Sequence, residues 1–88
     1  MKSKSLELSF TPADNQRLAN LCGVLDENLK QVETALDVTI SRRGERFSLY
    51  GDSDRTKLAA DVLRRFYDQS RQHLSLEQIQ LGLIEARN

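Results

Sequence analysis

Eighty-eight residues, 39% of them hydrophobic and 30% charged, make one small domain with a thin core and no room for an elaborate active site. Thirteen basic side chains balance thirteen acidic ones, and a net charge of zero argues against strong non-specific nucleic-acid binding. The lone cysteine, Cys22, excludes a disulfide within the chain and points to a reducing cytoplasm; no apolar run approaches the roughly 18 residues of a membrane span, and residues 1–5 lack the apolar stretch of a signal peptide.

Residues 1–5 are expected to be disordered. Leu6-Glu7-Leu8-Ser9-Phe10 alternates apolar and polar residues and predicts a half-buried strand with Leu6, Leu8 and Phe10 inward. Thr11-Pro12-Ala13-Asp14 reads as a helix start, with Thr11 as cap, Pro12 in the first helical position and Asp14 in the third. Leu18, Leu21 and Cys22 form the inward face of that helix, and Gly23 breaks it. Asp26 begins a second helix, with Glu27 in its first turn and Leu29, Val32 and Leu36 on one face.

Val38-Thr39-Ile40 has the β-branched content of a strand, and Arg46-Phe47-Ser48-Leu49-Tyr50 alternates again. Between them, Ser41-Arg42-Arg43-Gly44-Glu45 predicts a hairpin, with Gly44 supplying the positive φ of the turn. Gly51-Asp52-Ser53-Asp54 is a turn and cap for a third helix over residues 54–69, with Leu58, Ala59, Val62, Leu63 and Phe66 inward and Arg55, Lys57, Arg64, Arg65 and Asp68 outward. Ser75-Leu76-Glu77-Gln78 is a capping box, and Leu74 and Ile79 are spaced for a hydrophobic staple. The fourth helix, over residues 76–86, is apolar most of the way round, so it needs cover on more than one side; the sheet is expected to supply one cover and a partner the other.

The fold class this order predicts is α+β, a β-α-α-β-β-α arrangement with a three-stranded sheet packed on helices plus a C-terminal helix. It is the order of the KH domains. Leu21-Cys22-Gly23-Val24-Leu25-Asp26-Glu27-Asn28-Leu29-Lys30-Gln31-Val32-Glu33 resembles their core motif, in which an apolar pair precedes G-x-x-G. A closer similarity covers almost the whole chain. Residues 12–23, Leu25-Asp26-Glu27-Asn28-Leu29, Leu76-Glu77-Gln78-Ile79 and Ile84-Glu85-Ala86-Arg87 resemble the N-terminal KH-like domain of PhoH-like, phosphate-starvation-inducible P-loop ATPases. The resemblance divides the chain into a KH-like domain over residues 6–72 and a helix over residues 73–88 leading toward an ATPase domain that this chain does not contain. It implies a non-catalytic module associated with RNA metabolism, with RNA and the ATPase domain as partners. ATP and magnesium are implied for that downstream domain alone. No G-x-x-x-x-G-K-[ST] occurs here, so neither cofactor nor enzymatic activity is expected of this chain.

The loop Gly23-Val24-Leu25-Asp26 departs from G-x-x-G at its last position. Glycines in such a loop let backbone approach phosphate, and the following helix offers its free N–H groups. Asp26 is expected to cap those same groups and to repel an anion, weakening any grip on phosphate while stabilising the helix by about 1 kcal/mol. Gly23 is either the remnant of a phosphate cradle or a left-handed helix cap.

Charge is unevenly spread, at −2 over residues 1–37, +3 over 38–73 and −1 over 74–88. Arg42, Arg43 and Arg46 at the hairpin, with Lys57, Arg64 and Arg65, are therefore the candidate RNA or anion contacts, set against the plainer reading of a solvated charged surface. Leu76, Ile79, Leu83 and Ile84 are the candidate contacts for docking on the ATPase domain or for homo-oligomer formation. Cys22 reads as a core residue and His73 as surface, without neighbours that would make either a nucleophile or a ligand. Phe10, Phe47 and Phe66 fit the core, and Tyr50 and Tyr67 are expected to be partly buried.

Overall fold

The computed structural model describes residues 4–11 and 14–87. In chain order these form β1 (Lys4–Ser9), α1 (Asn15–Cys22), one 3-10 turn (Val24–Asp26), α2 (Glu27–Leu36), β2 (Thr39–Arg43), β3 (Arg46–Gly51), α3 (Ser53–Asp68) and α4 (Leu76–Arg87). The strands make one antiparallel sheet in the order β1-β3-β2, so the class is α+β as expected. Helices cover one face of the sheet; the other is open.

Cross-strand registration explains the two faces. Leu8, Phe47 and Arg42 form one row across the sheet, and Leu6, Leu49 and Ile40 the next. Phe47 and Leu49 are wholly buried and Leu8 nearly so, and α3 lies across β1 and β3 over them. The intervening rows, which include Ser9, Arg46 and Arg43, then Glu7, Ser48 and Ser41, point to the open side, where the Ser48 hydroxyl donates to Glu7 at 2.7 Å. A period of two thus fixes which residues meet the helices.

Several boundaries differ from the sequence reading, each for a local reason. β1 already runs from Lys4, because Lys4 and Ser5 pair with Gly51 and Tyr50; of the segment expected to be disordered, residues 1–3 lie outside the described residues. α1 is capped by Asp14, whose Oδ1 accepts the N–H groups of Gln16 and Arg17 at 3.1 and 3.2 Å, so Thr11 is not the cap. Asp14 has the extended backbone that lets a side chain reach those donors. Pro12 and Ala13 lie outside the described residues. β2 continues to Arg43, and the turn shrinks to Gly44 and Glu45. Positive φ at Gly44 alone (+62°) is the mark of a turn whose twist matches the strands.

α4 begins as its capping box predicts. Gln78 N–H donates to the Ser75 hydroxyl at 3.1 Å, and Ser75 N–H donates to the Gln78 side-chain oxygen at 2.8 Å. Leu74 and Ile79 are both buried, as a staple requires. The helix does not lie on the sheet, however; it packs on α2 and α3. Ile79 and Leu83 are buried there within the same core as the rest of the chain, so the C-terminal helix is no appendage and these two residues offer no contact surface. Leu76, Leu81 and Ile84 remain exposed, because a helix seated on two others still shows a third side.

The far end of α3 is fixed by α1. Arg17 donates to the Tyr67 carbonyl at 2.6 Å and lies over the Tyr67 ring at 4.2 Å, while Phe10 stacks on that ring at 4.2 Å. Tyr67 is therefore buried, whereas Tyr50 is exposed on the open sheet face. Asn20 donates to the Ser70 carbonyl at 2.8 Å, and Asn28 donates to the Asn20 carbonyl at 3.4 Å. These two buried amides bind α1, α2 and the end of α3 into one unit, since neither could be left unpaired cheaply.

Candidate functional site

α1 and α2 are joined by Gly23, Val24, Leu25 and Asp26. The Gly23 N–H donates to the Ala19 carbonyl at 2.9 Å, which closes α1. Its φ is +78° but its ψ is 175°, outside the left-handed helical well and in a region essentially restricted to glycine. Leu25 (φ 53°, ψ 33°) and Asp26 (φ 58°, ψ 28°) then take the left-handed conformation. For residues with a Cβ that costs roughly 1–2 kcal/mol each.

This backbone overturns the expected role of Asp26. A capping side chain reaches the helix donors from extended backbone, as Asp14 does. From the left-handed region Asp26 makes no capping hydrogen bond to α2. It does not stabilise the helix in exchange for anion affinity; its geometry costs stability. The loop instead presents an apolar tip, with Val24 and Leu25 69% and 84% exposed.

Beside the loop an open groove of about 420 Å³ runs between α2 and the edge strand β2. One wall is the face of α2 that carries Leu29, Lys30 and Glu33, with Asp26 just ahead of the helix. The other wall is Ile40 and Arg42, two residues apart on one side of β2, with Gly44 at the turn. Leu29 is buried and Ile40 half-buried, so the two give an apolar floor. Lys30 and Arg42 are exposed cations, one on each wall. Glu33 accepts the Ile40 N–H at 2.7 Å and so clamps α2 to the sheet edge.

The six basic residues singled out from sequence do not share one face. Arg42 ends the inward row begun by Leu8 and Phe47 and lines the groove. Arg43 and Arg46 pair across the hairpin on the open side of the sheet. Lys57, Arg64 and Arg65 are exposed on α3, interleaved with the exposed acids Asp54, Asp61 and Asp68, and Arg64 pairs with Asp61 at 3.3 Å. Arg64 also borders a second groove, of about 370 Å³, with Leu8, Phe10 and Tyr67 at the β1 edge, opposite the first. Alternation along the strands separates Arg42 from Arg43, and helix periodicity mixes the charges on α3. Lys30 and Glu33 went unremarked in the sequence. Their spacing from Asp26 and Leu29 was the available signal, but only the packing of α2 against β2 gives that face an opposite wall.

Cys22 lies behind the loop, wholly buried, with Arg42 Nη1 at 2.8 Å from its Sγ. Burial pushes the thiol above its ordinary pKa, the Arg42 hydrogen bond and charge pull it back in part, and the Asp26 carboxylate adds to the rise. Because the folded state holds this proton more tightly than the unfolded chain, the thiol's contribution to stability is intact below the unfolded pKa of about 8.5 and is lost as pH rises from there through the folded value. Urea midpoints at about pH 7 and about pH 10 should therefore fall further apart in the native sequence than in Cys22→Ala. An equal fall in both would show that the thiol is not the group responsible.

No known protein-family model matches the chain. Among the described residues, no helix is long and apolar enough to cross a membrane.

Proposed function

We propose that this chain is a non-catalytic, RNA-associated module, the N-terminal KH-like part of a PhoH-like ATP-binding protein of RNA metabolism, and that it holds single-stranded RNA in the groove between α2 and β2. The observation that carries this reading is the groove itself, with an apolar floor of Leu29 and Ile40, one cation on each wall, and the Gly23–Asp26 loop at its mouth. Bases unpaired from a partner strand rest on apolar floors, and cations at the rim meet phosphate. Asp26 and Glu33 offset Lys30 and Arg42, so affinity is modest and best seen at low salt. ATP and magnesium belong to the downstream domain in this reading, and the protein acts in the cytoplasm.

Anisotropy titrations of labelled single-stranded RNA test it. Two phosphate contacts predict a slope of about −1.4 in log K against log salt. Lys30→Glu combined with Arg42→Gln should abolish binding, whereas Arg43→Gln with Arg46→Gln, on the open sheet face, should weaken it by no more than about threefold. Undiminished binding by the first pair would refute the groove as the site.

A second reading, docking on the ATPase domain or on another copy of the chain, is favoured by the exposed Leu76, Leu81 and Ile84 on α4. Sedimentation that depends on concentration and is lost in Leu81→Lys with Ile84→Lys would support it; a monomer that shows no association with the longer protein would end it.

A further inference from the structure

The groove contains an acceptor as well as cations, and its position suggests what kind of base it takes. A two-residue turn closed by Arg43 and Arg46 makes residues 43, 41 and 39 of β2 the ones hydrogen-bonded to β3. Ile40 and Arg42 therefore turn their N–H and C=O groups to the outer edge, toward α2. The Ile40 N–H is occupied by Glu33 Oε2 at 2.7 Å. That bond holds the carboxylate in one orientation, half-buried in the wall between Leu29 and Ile40. Its other oxygen, Oε1, makes no hydrogen bond among the described residues. Swinging out to solvent would cost the carboxylate its Oε2 bond and leave the Ile40 N–H unpaired. It stands as an acceptor beside the apolar floor on which a base would lie.

We infer that Glu33 is a specificity-determining residue of this groove, selecting bases that carry an exocyclic amino group over uracil. The inference rests on the groove being the RNA site proposed above. Cytosine and uracil make the decisive comparison. They have the same ring and differ on one edge, where cytosine has an acceptor at position 3 and an amino donor at position 4, and uracil an N–H donor at position 3 and a carbonyl oxygen at position 4. A carboxylate that faces position 4 accepts from the first and repels the second. The half-buried Ile40, backed by the buried Leu29, offers the same apolar contact to either, so the difference falls on Glu33.

The test compares short oligocytidylate and oligouridylate of equal length, each titrated against the native protein and against Glu33→Gln. The native protein should bind the cytidine strand about tenfold more tightly, near the lower end of what one good base contact discriminates. Glu33→Gln keeps an oxygen for the Ile40 N–H and turns a donor toward the base. The ratio should then fall to about one or invert, even though loss of a negative charge raises affinity for both strands. The ratio, not the affinity, is the readout, and a melting curve of Glu33→Gln close to native establishes that the clamp on β2 survives. Equal binding of both strands by the native protein, or a ratio unchanged in Glu33→Gln, overturns the assignment of Glu33 and leaves the groove standing. Failure of the native protein to bind either strand at low salt overturns both.

Discussion

Gly23→Ala is expected to lower the stability of the fold by about 3 kcal/mol or more, through backbone strain of about 1–3 kcal/mol and overpacking of similar size. The backbone cost arises because φ +78° with ψ 175° excludes a Cβ. The packing cost arises because that Cβ would fall 2.9 Å from Cγ and Nδ2 of Asn28. Asn28 cannot step aside, since it is 2% exposed and its amide holds the last turn of α1 through the Asn20 carbonyl. In a chain of this size about 3 kcal/mol is a large share of the total, and thermal unfolding should drop by more than about 12 °C. Gly44→Ala is the matched comparison. Its φ is also positive, but nothing lies within 4 Å of the added Cβ, so only the conformational cost of about 1–2 kcal/mol remains. Equal losses at the two positions would show that the Asn28 contact is immaterial.

Gly82→Val should be comparably damaging, at about 3 kcal/mol, and for a different reason. Gly82 lies within α4 and its backbone is ordinary for a helix, but α4 approaches α3 so closely there that a Cβ would sit 2.4 Å from Cε1 and 2.7 Å from Cζ of Phe66. Phe66 is 2% exposed, so its ring can move only by displacing other core side chains. Gly82→Ala is the sharper test of sign. In an open helix alanine would gain about 1 kcal/mol over glycine; here the clash should outweigh that gain and the variant should melt below the native protein. Proteolysis in the segment between α3 and α4 should accelerate as α4 lifts. An alanine variant that melts higher would mean that α4 stands off from Phe66.

Much of the fold was legible because each strand and helix carries one dominant period. Leu8, Phe47 and Leu49 follow the strand alternation, and Val62, Leu63 and Phe66 follow the helical stripe; all are buried. Ser75 and Gln78 announce the start of α4 by local chemistry alone. The errors fall where tertiary contact decides. Thr11 and Asp14 are both good caps, and only the actual path of the chain chooses Asp14. Asp26 has the right residue type in the right place to cap α2, but the left-handed turn at Leu25 and Asp26 removes the geometry. Ile79 and Leu83 looked like half of an all-round apolar helix, and only the seating of α4 on α2 and α3 separates them from Leu81 and Ile84. The groove was least legible, because Lys30, Glu33 and Arg42 become neighbours only when an edge strand closes against a helix.

The seating of α4 also bears on how much of the chain the fold needs. Leu74, Ile79 and Leu83, with the half-buried Ala86, belong to the core that α4 shares with α2 and α3. A protein cut at residue 72 would retain all three strands but lose the cover that α4 gives the reverse side of the groove wall. Removal of everything after residue 72 is therefore expected to lower stability, because α4 is part of the foundation on which α2 meets β2.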